Sequence, residues 1–599
     1  MAVDVRLGGP EDVEAAVSVY ERSNLARRRG IWPSRTTRLT SVTANLRNPD
    51  SWFVVAHEGG EAVAMAVVLP FRGDRGTGPL VPGASFLDLI YVLPDRWGRG
   101  IGKAVLDGVI DEATRRGSRR IYLWTHEREN ERAHRLYRRR GFSRSGTIGE
   151  DESGQPVAEW LRVGDVSGEQ SPNGAELIDS PAIDALVERV ETELADSHPE
   201  IAEIFEGCFR NSLDTSITRT PDGTTFVATG DIPAMWLRDS AAQVRPYVRL
   251  AAEDDAIRTF IKGLIRRTAQ YVNLDAYANA FNMEPNGNGH QTDRTDMTPS
   301  TWERKWELDS LCYPVLLLRD WWEATRDASV FDADVHRMLR SIVETMRTEQ
   351  RHADRSTYRF WRTEHAYPHD NLSNGGRGAP VGETGMVWVG FRPSDDACTY
   401  PFHVPSNMFA AAILPDLAAF AREQFSDTAL ARDADALASE IRAGIEEHAV
   451  VEHPRFGRIY AYETDGLGSH LLMDDANVPS LLSIPYLGYR PVDDPVYLAT
   501  RAFVLSRENP YFFSGSAAAG VGSPHTPDRY VWPIGISMQA LTAADPAEGD
   551  ALLTSLATTT AGTRLMHESF DVDDPSRFTR PWFGWANSLF AEAVLRWIG

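Results

Sequence analysis

Residues 390–409 of the chain read GFRPSDDACTYPFHVPSNMF and place two adjacent carboxylates, Asp395 and Asp396, ahead of a long apolar pattern. Two like charges this close cannot both ionise cheaply, so one of the two is expected to hold its proton near neutral pH. A carboxylic acid that keeps its proton is what an enzyme needs to protonate a leaving oxygen. The same letters also permit a structural interpretation, in which Ser394 and Asp395 cap a helix over residues 400–414. The stretch therefore predicts either one member of an acid–base pair or a helix start.

Composition limits the class of protein. The chain has 599 residues, 42% of them apolar, which is enough for more than one globular domain. A net charge of −23 argues against a general nucleic-acid partner, because phosphate binding needs a basic face. The three cysteines lack the spacing of a zinc site. No uninterrupted apolar run approaches the ~18 residues of a membrane span, and the first residues lack the pattern of a secretory signal. The sequence predicts a cytoplasmic protein with no membrane partner.

The first 165 residues contain a strand, a glycine-rich turn and a helix in succession. The strand is predicted over residues 86–92, the turn over 94–102 and the helix over 103–116. Glycines let the backbone approach a ligand closely, and the free N–H groups at a helix N-terminus attract phosphates. A glycine turn alone is weak evidence, since many connections of this kind need a positive φ.

The letters WGRGIG (97–102) followed by NERAHRLYRRRGF (130–142) resemble the GCN5-related N-acetyltransferase (GNAT) family. The resemblance implies an α/β GNAT fold, a mixed central sheet with flanking helices, over residues 1–165, and acetyl-CoA as cofactor. It also implies that Tyr137 is the general acid that returns a proton to the leaving thiolate. Trp97 stands where the family usually has Arg or Gln. The general base stays open, because Asp88 is either that base or a solvent-facing strand carboxylate, and a GNAT fold without catalysis is the alternative. The cofactor-binding residues implied are Arg99, Gly100, Ile101, Gly102, Lys103 and Asn130.

A segment rich in Gly, Ser and acidic residues, 166–178, predicts a linker. Beyond it, residues 179–599 show about a dozen amphipathic helical patterns, such as 255–273 and 428–450, without a βαβ rhythm. This favours an all-α (α/α)6 barrel. Seven long loops between the helices combine aromatic residues with carboxylates, which is typical of sugar binding. Each loop alone also has an ordinary explanation, such as a buried Arg238–Asp239 ion pair.

Taken together, the loops resemble glycoside hydrolase family 125. The resemblance rests on TGDIPAMWLRDSAAQ, ANAFN, ERKWELDSLCYP, GFRPSDDAC, PSNMF, DDANVPSLL, GSPHT and HESF, and it covers nearly all of residues 180–599. It implies an (α/α)6-barrel exo-α-1,6-mannosidase that inverts anomeric configuration and acts on an α-mannoside oligosaccharide.

The resemblance implies that Asp395 is the general acid and Glu568 the general base, although the residue pattern leaves Asp396 open as the acid. An inverting pair is expected to lie about 6.5–9.5 Å apart, which leaves room for the attacking water. No metal is needed, because both proton transfers are made by carboxylates. Asp396 either supplies the like charge that keeps Asp395 protonated or binds a sugar hydroxyl. The substrate-binding residues implied are Trp236, Arg238, Asp239, Asn279, Glu307, Asp309, Arg392, Asp396, Asn407, His525 and His567.

The sequence thus predicts a mannosidase fused to an acetyl-CoA-dependent N-acetyltransferase. Two alternatives remain at this point. One is a hydrolase of another α-linked sugar, and the other is a sugar-binding barrel joined to a non-catalytic acetyl-CoA-binding domain.

Overall fold

The structure is a computed structural model that describes residues 3–26, 39–72, 80–118, 120–126, 130–138, 140–150, 155–163, 178, 180–364 and 369–599. The chain divides into two compact units, residues 1–171 and 172–599. The predicted linker 166–178 lies outside the described residues, apart from Ile178.

The first unit is built on a seven-stranded mixed sheet, with the strand order β1-β2-β3-β4-β5-β7-β6. The strands are β1 (Asp4–Leu7), β2 (Trp52–Glu58), β3 (Glu61–Arg72), β4 (Leu80–Val92), β5 (Arg120–His126), β6 (Ser143–Glu150) and β7 (Pro156–Val163). Only β4 and β5 pair in parallel, and their pairing stops at Leu87 with Leu123. Residues 88–92 of β4 continue without β5, because β5 stays with β7 to its end. The two strands therefore separate and open a gap in the sheet.

In the part of this unit that the structure describes, four α-helices accompany the sheet: α1 (Val13–Ala26), α2 (Leu39–Arg47), α3 (Ile101–Arg115) and α4 (Glu131–Arg138). Helix α3 buries Ile101, Val105, Leu106 and Val109, a spacing that places one apolar stripe against the strands. The mixed sheet with flanking helices predicted for this unit is confirmed.

The second unit is rich in helices. They are α5 (Pro181–Leu194), α6 (Pro199–Thr215), α7 (Leu237–Val248), α8 (Asp255–Leu274), α9 (Asp309–Thr325), α10 (Ala333–Glu349), α11 (His352–Arg355), α12 (Ser373–Gly376), α13 (Val404–Gln424), α14 (Thr428–His448), α15 (Pro495–Val504), α16 (Pro533–Leu541), α17 (Pro546–Thr558) and α18 (Gly584–Ile598). The last helix, α18, packs against α6, α7, α16 and α17. The C-terminal residues thereby close on the first helices of the same unit.

Helix α13 is the one helix among the described residues that is long and apolar enough to cross a membrane. Of its apolar window, 78% is buried inside the unit. This is the position of a core helix, and its apolar residues face other helices rather than solvent.

Short strands connect the loops between the helices. They are Ile217–Arg219, Thr225–Val227, Met235–Trp236, Ala280–Phe281, Thr301–Glu303, Phe402–His403, Val450–His453, Gly457–Tyr460, Glu463–Thr464, His470–Leu471, Phe512–Ser514, Ala519–Val521, Tyr530–Val531 and Phe570–Asp571. One small sheet pairs Trp236 with Ala280, and Ala280 with Glu303. Backbone pairing thereby fixes three loops that are distant in sequence side by side, independently of their side chains.

The structure overturns the helix-cap interpretation of the acidic stretch. Helix α13 begins at Val404, and its N-cap is His403, whose ring accepts a hydrogen bond from the Ser406 N–H group. Ser394 and Asp395 lie several residues upstream in a turn. They therefore do not cap this helix, and the interpretation is wrong.

Candidate active sites

The acidic turn, residues 391–397, directs its two aspartates to different partners. It is closed by hydrogen bonds from Arg392 N to Asp396 O (2.8 Å) and from Asp395 N to Arg392 O (2.9 Å). Asp395 has a φ of 66°, a left-handed conformation that few residues other than glycine adopt, although aspartate tolerates it. Asp395 faces Arg238 at 3.3 Å, whereas Asp396 faces His525 at 3.0 Å. The two neighbours therefore belong to two different groups of side chains.

Arg238 is the cation at the centre of a buried carboxylate cluster. Its guanidinium lies 2.7 Å from Glu307, 3.4 Å from Asp309, 3.3 Å from Asp395 and 3.4 Å from Asp239. Arg238 and Asp239 form the buried ion pair that the structural interpretation of this loop predicts, but the pair is part of this larger cluster. Lys305 adds a second positive charge near Asp395, but it is shared with Glu303 and Asp370. Three of the four carboxylates are buried and Asp395 is 26% exposed, so this positive charge is too small to balance them and favours a retained proton among them.

The retained proton lies next to Asp395. Burial and the charge of Asp395, together with a hydrogen bond to it, raise the pKa of Glu307 well above its usual value, against the charge of Arg238. Burial by itself would raise the pKa of Asp395, but the hydrogen bond from Glu307 and the charges of Arg238 and Lys305 lower it below its ordinary value. The geometry thus favours Glu307 over Asp396 as the carboxyl group that shares a proton with Asp395.

Lys305 and Asn279 bind the acidic turn at Asp395. The Lys305 ammonium donates to the Asp395 carbonyl oxygen (2.7 Å) and to Asp370 (2.8 Å). The Asn279 amide nitrogen lies 2.9 Å from Glu303 and 3.4 Å from Asp395, and its oxygen accepts from the Lys305 N–H group (3.0 Å). The left-handed turn at Asp395 is therefore fixed by a buried cation and a buried amide.

His525 connects the acidic turn to Glu568. Burial would lower the pKa of His525, but its hydrogen bond with Asp396 and the charges of Asp396, Asp395 and Glu568 raise it to about 9. Asp395 and Glu568 both lie close enough to this imidazole for their charges to raise its pKa. Glu568 also contacts Arg580 at 3.5 Å, and its side chain is 12% exposed.

Several buried polar atoms near this cluster have no hydrogen-bond partner among the described residues. They include Trp236 Nε1, Asp239 Oδ2 and His567 Nε2, together with Ser394 Oγ, Asp396 Oδ2 and Arg238 Nε, which lies 3.4 Å from Asp239 Oδ2. His567 Nδ1 lies 3.0 Å from the carbonyl oxygens of Arg580 and Pro581, so it must carry the proton, which leaves Nε2 as an acceptor. Burial lowers the pKa of His567, in keeping with a neutral ring. Burial also disfavours the charged form of Asp239, and therefore raises the pKa of this carboxyl group to about 6. Among these atoms, one donor and two acceptors, those of Trp236, Asp239 and His567, are suited to a ligand with several hydroxyl groups.

Two residues predicted to bind substrate, Arg392 and Asn407, make hydrogen bonds to other groups of the protein. Both amide hydrogens and the oxygen of Asn407 are used by backbone groups of Val387 and His403. Arg392 donates to Glu463 (2.6 Å), whose other oxygen accepts from two backbone N–H groups. Arg392 therefore fixes the acidic turn to Glu463, and Asn407 joins the start of α13 to residue 387.

Several residues of this region are not predicted from the sequence: Glu303, Lys305, His369, Asp370, Glu463 and Arg580. A signal existed for Lys305. It is one of three lysines in a chain that otherwise uses arginine, and a compact ammonium reaches a carbonyl oxygen where a planar guanidinium does not fit. The others have no local signal, because their partners lie far away in sequence.

In the first unit, the gap between β4 and β5 leads into a cavity of about 460 Å³. Predicted residues that line it are Gly100, Ile101, Gly102, Lys103, Asn130 and Tyr137. Gly100 has a φ of 77° and is the N-cap of α3, with no side chain capping the helix. Arg99 is not among the lining residues, and its guanidinium lies 3.8 Å from Glu58.

The charges of this cavity suit a phosphorylated cofactor. Asp88 is the single acidic residue among its lining residues. The basic ones are Arg96, Lys103, Arg132, Arg135 and Arg140. Together with the free end of α3, these cations fit the pyrophosphate of acetyl-CoA, in a chain whose net charge is −23. Trp97 also lines the cavity, and its indole donates to the Val92 carbonyl oxygen (2.9 Å).

Comparisons with known proteins agree with this division. Residues 198–595 match the family model described as metal-independent alpha-mannosidase (GH125), and residues 17–142 match the acetyltransferase (GNAT) family model. A curated relative, the meiotically up-regulated gene 157 protein of Schizosaccharomyces pombe, is 41% identical over 441 residues, covering 69% of this chain and 85% of the relative. A solved metal-independent alpha mannosidase from Streptococcus pneumoniae, in a non-productive complex with alpha-1,6-mannobiose, is 46% identical with a TM-score of 0.69. It covers 70% of this chain and 99% of its own.

Proposed function

Because the chain belongs to the family of metal-independent alpha-mannosidases (GH125) and carries an acetyltransferase (GNAT) domain, we propose that residues 179–599 remove terminal non-reducing α-1,6-linked mannose with inversion of configuration. The observation that carries this proposal is the cluster around Arg238, where Glu307 lies 2.7 Å and Asp395 3.3 Å from the guanidinium, inside the part of the chain that matches the family model. The streptococcal relative, solved with alpha-1,6-mannobiose, supports the linkage.

In the proposed reaction Asp395 protonates the glycosidic oxygen while Glu568 removes a proton from water. The water oxygen bonds to C1 from the opposite face as the bond from C1 to the leaving oxygen breaks, which inverts the configuration. The proton required by Asp395 comes from the hydrogen-bonded pair that it forms with Glu307. Trp236, Asp239 and His567 offer their unpartnered polar atoms to the sugar hydroxyls.

We propose that the helices of this unit form an (α/α)6 barrel. The contacts of α5 with α6, α8 with α10, α13 with α14 and α16 with α17 support paired helices. The contacts of α18 with α6 and α7 support closure of the ring.

Mannose release from α-1,6-, α-1,3- and α-1,2-linked mannobiose tests the specificity, and proton NMR of the first product tests the stereochemistry. We expect release from the α-1,6 isomer and β-mannose as the first anomer. Asp573→Asn is a control, because Asp573 is an exposed acid of the same segment as Glu568 that pairs with Arg529. Preference for another isomer, or α-mannose as the first product, would contradict the proposal.

We propose that the first unit transfers an acetyl group from acetyl-CoA to an amine on a related sugar or on a partner protein. Gly100, Ile101, Gly102, Lys103 and Asn130 would hold the cofactor, which supplies the activated acetyl group. Tyr137 lines the same cavity, and its hydroxyl would return a proton to the departing thiolate. Transfer from labelled acetyl-CoA to a panel of amines tests this. Tight binding without transfer to any amine would instead indicate a sensor.

The requirement for acetyl-CoA also supports the proposal that the protein works in the cytoplasm. Cys208, Cys312 and Cys398 are all buried free thiols, as in a reducing compartment. Cell fractionation with compartment markers tests this proposal.

A further inference from the structure

Three potential metal ligands from three separate loops meet at the edge of the acidic turn. Nδ1 of His525 lies 3.0 Å from Asp396 Oδ1, and Nε2 of His369 lies 3.7 Å from the same oxygen. One ligand atom from each residue lies within 4.8 Å of the other two. Ligands at the usual 2.0–2.1 Å from a tetrahedral zinc ion are separated by about 3.3 Å. The observed separations therefore need only small side-chain rotations to reach that geometry.

A second observation concerns Asp396 itself. The residue is 1% exposed, yet its Oδ2 atom is buried and has no hydrogen-bond partner among the described residues. A buried carboxylate with an unused oxygen is costly unless a cation or a donor reaches it.

The backbone holds the three ligands in place before any metal binds. The carbonyl oxygen of His369 accepts a hydrogen bond from Ala397 N (2.8 Å), which fixes the loop of His369 to the residue after Asp396. The backbone N–H group of His525 donates to the Ser523 hydroxyl, and this hydroxyl donates to Asp475 (2.9 Å). Each ligand is thereby anchored by a neighbour that is not itself a ligand, as in sites with a supporting outer shell.

We propose that His369, Asp396 and His525 form a binding site for a divalent transition metal, with Zn²⁺ as the type ion, and that the bound metal inhibits hydrolysis. Two imidazoles and one carboxylate suit zinc, whereas Mg²⁺ and Ca²⁺ prefer oxygen ligands. The imidazoles are partly exposed, at 41% and 38% of their side-chain area, so solvent reaches the site and the ion keeps open positions. The bound ion inhibits hydrolysis because it holds Asp396, the immediate neighbour of Asp395. The inhibition, unlike the metal site, rests on the proposed function.

The binding test is optical and does not depend on activity. Co²⁺ is titrated into the full-length protein after chelator treatment, and the visible d–d bands of a low-coordinate nitrogen and oxygen site are recorded before Zn²⁺ displaces the ion. We expect one equivalent, and at least tenfold weaker binding in the His369→Ala and His525→Ala variants. His336→Ala is the matched control, because His336 makes the same 3.0 Å contact with a carboxylate, Asp427, without belonging to a three-ligand group. Absence of the bands, or equal affinity in all four proteins, would overturn the site.

The inhibition test uses mannobiose hydrolysis, and each protein is compared with its own metal-free rate. We expect Zn²⁺ to inhibit the wild-type protein reversibly, with relief by chelator, and to inhibit the His369→Ala variant only at concentrations at least tenfold higher. Mg²⁺ and Ca²⁺ should have no effect. Bands without any mannoside hydrolysis would support the metal site and contradict the proposed function. Hydrolysis that Zn²⁺ does not change, in a protein that shows the bands, would overturn inhibition alone.

Discussion

The two candidate sites of this chain are built from different parts of the protein. The candidate cofactor cavity uses the backbone around Gly100, a helix N-terminus and a gap between two strands, all within about fifty residues of sequence. The mannosidase site uses side chains from loops that are up to about 330 residues apart, arranged around Arg238 and the acidic turn. A backbone site depends on local conformation, whereas a side-chain site depends on charge balance between distant loops. Substitutions should therefore act on the first site through backbone conformation and on the second through the balance of charge.

The largest effect is expected from removing the two carboxylates that are proposed to be catalytic. Asp395→Asn and Glu568→Gln should each lower the hydrolysis of α-1,6-mannobiose about 10²- to 10⁴-fold, the usual contribution of general acid–base catalysis. With α-mannosyl fluoride, whose leaving group needs little protonation, Asp395→Asn should recover much of its rate and Glu568→Gln should not. Steady-state kinetics with both substrates measures this. Recovery in the Glu568 variant instead would reverse the assigned roles.

A smaller loss, about 10²-fold in kcat, is expected when the support of the acidic turn is removed. Lys305→Met deletes the cation that binds the Asp395 carbonyl oxygen and leaves the buried Asp370 without its closest partner. Because Lys305 acts through Asp395, the loss should shrink with α-mannosyl fluoride. Lys262→Met is the matched control, since Lys262 makes a partly exposed pair with Asp327, and pairs of that kind contribute little. Equal losses with both substrates would mean that Lys305 serves folding alone.

The comparison also explains which parts the sequence predicts. The local elements are close to the structure: the strand predicted over 86–92 lies within β4, and the helix patterns over 255–273 and 428–450 correspond to α8 and α14. These rest on periodicity and on glycine positions, which are properties of neighbouring residues. The GNAT turn is predictable for the same reason.

The electrostatic partners are not predictable in this way. Adjacency in sequence suggested that Asp395 and Asp396 interact, but the left-handed φ at Asp395 separates them and brings Glu307, 88 residues earlier, into contact instead. Arg392 and Asn407 are predicted from the sequence to bind substrate, yet in the structure Arg392 pairs with the Glu463 side chain and Asn407 binds backbone groups. Which of several polar side chains faces a ligand is decided by long-range packing, and no local pattern records it.

The charge balance of the Arg238 cluster should also appear in protein stability. Burial raises the pKa of Asp239 to about 6, so between its ordinary value near 4 and about pH 6 the folded protein binds more protons at this residue than the unfolded chain. The free energy of unfolding should therefore fall as pH rises through that window, by up to about 2–3 kcal/mol from this group. Asp239→Asn should flatten this dependence, as measured by urea unfolding at several pH values. An unchanged slope would show that Asp239 ionises normally.

The smallest effect is expected in the backbone site. Gly100→Ala should weaken acetyl-CoA binding about tenfold, because alanine at a φ of 77° costs roughly 1–2 kcal/mol and must shift the turn that begins α3. Among the described residues no atom lies within 4 Å of the added methyl group, so the effect on the protein itself is conformational and not steric. Gly117→Ala is the matched control: Gly117 follows the other end of α3 with a φ of 78° and equally open surroundings, and it does not line the cavity. The free energy of unfolding should fall by a similar amount in both variants. Calorimetric titration with acetyl-CoA should show a loss of affinity only in Gly100→Ala. Mannobiose hydrolysis should stay unchanged in both. Equal loss of acetyl-CoA affinity in the two variants would mean that the first unit responds to strain as a whole, and the local origin of its site would then be refuted.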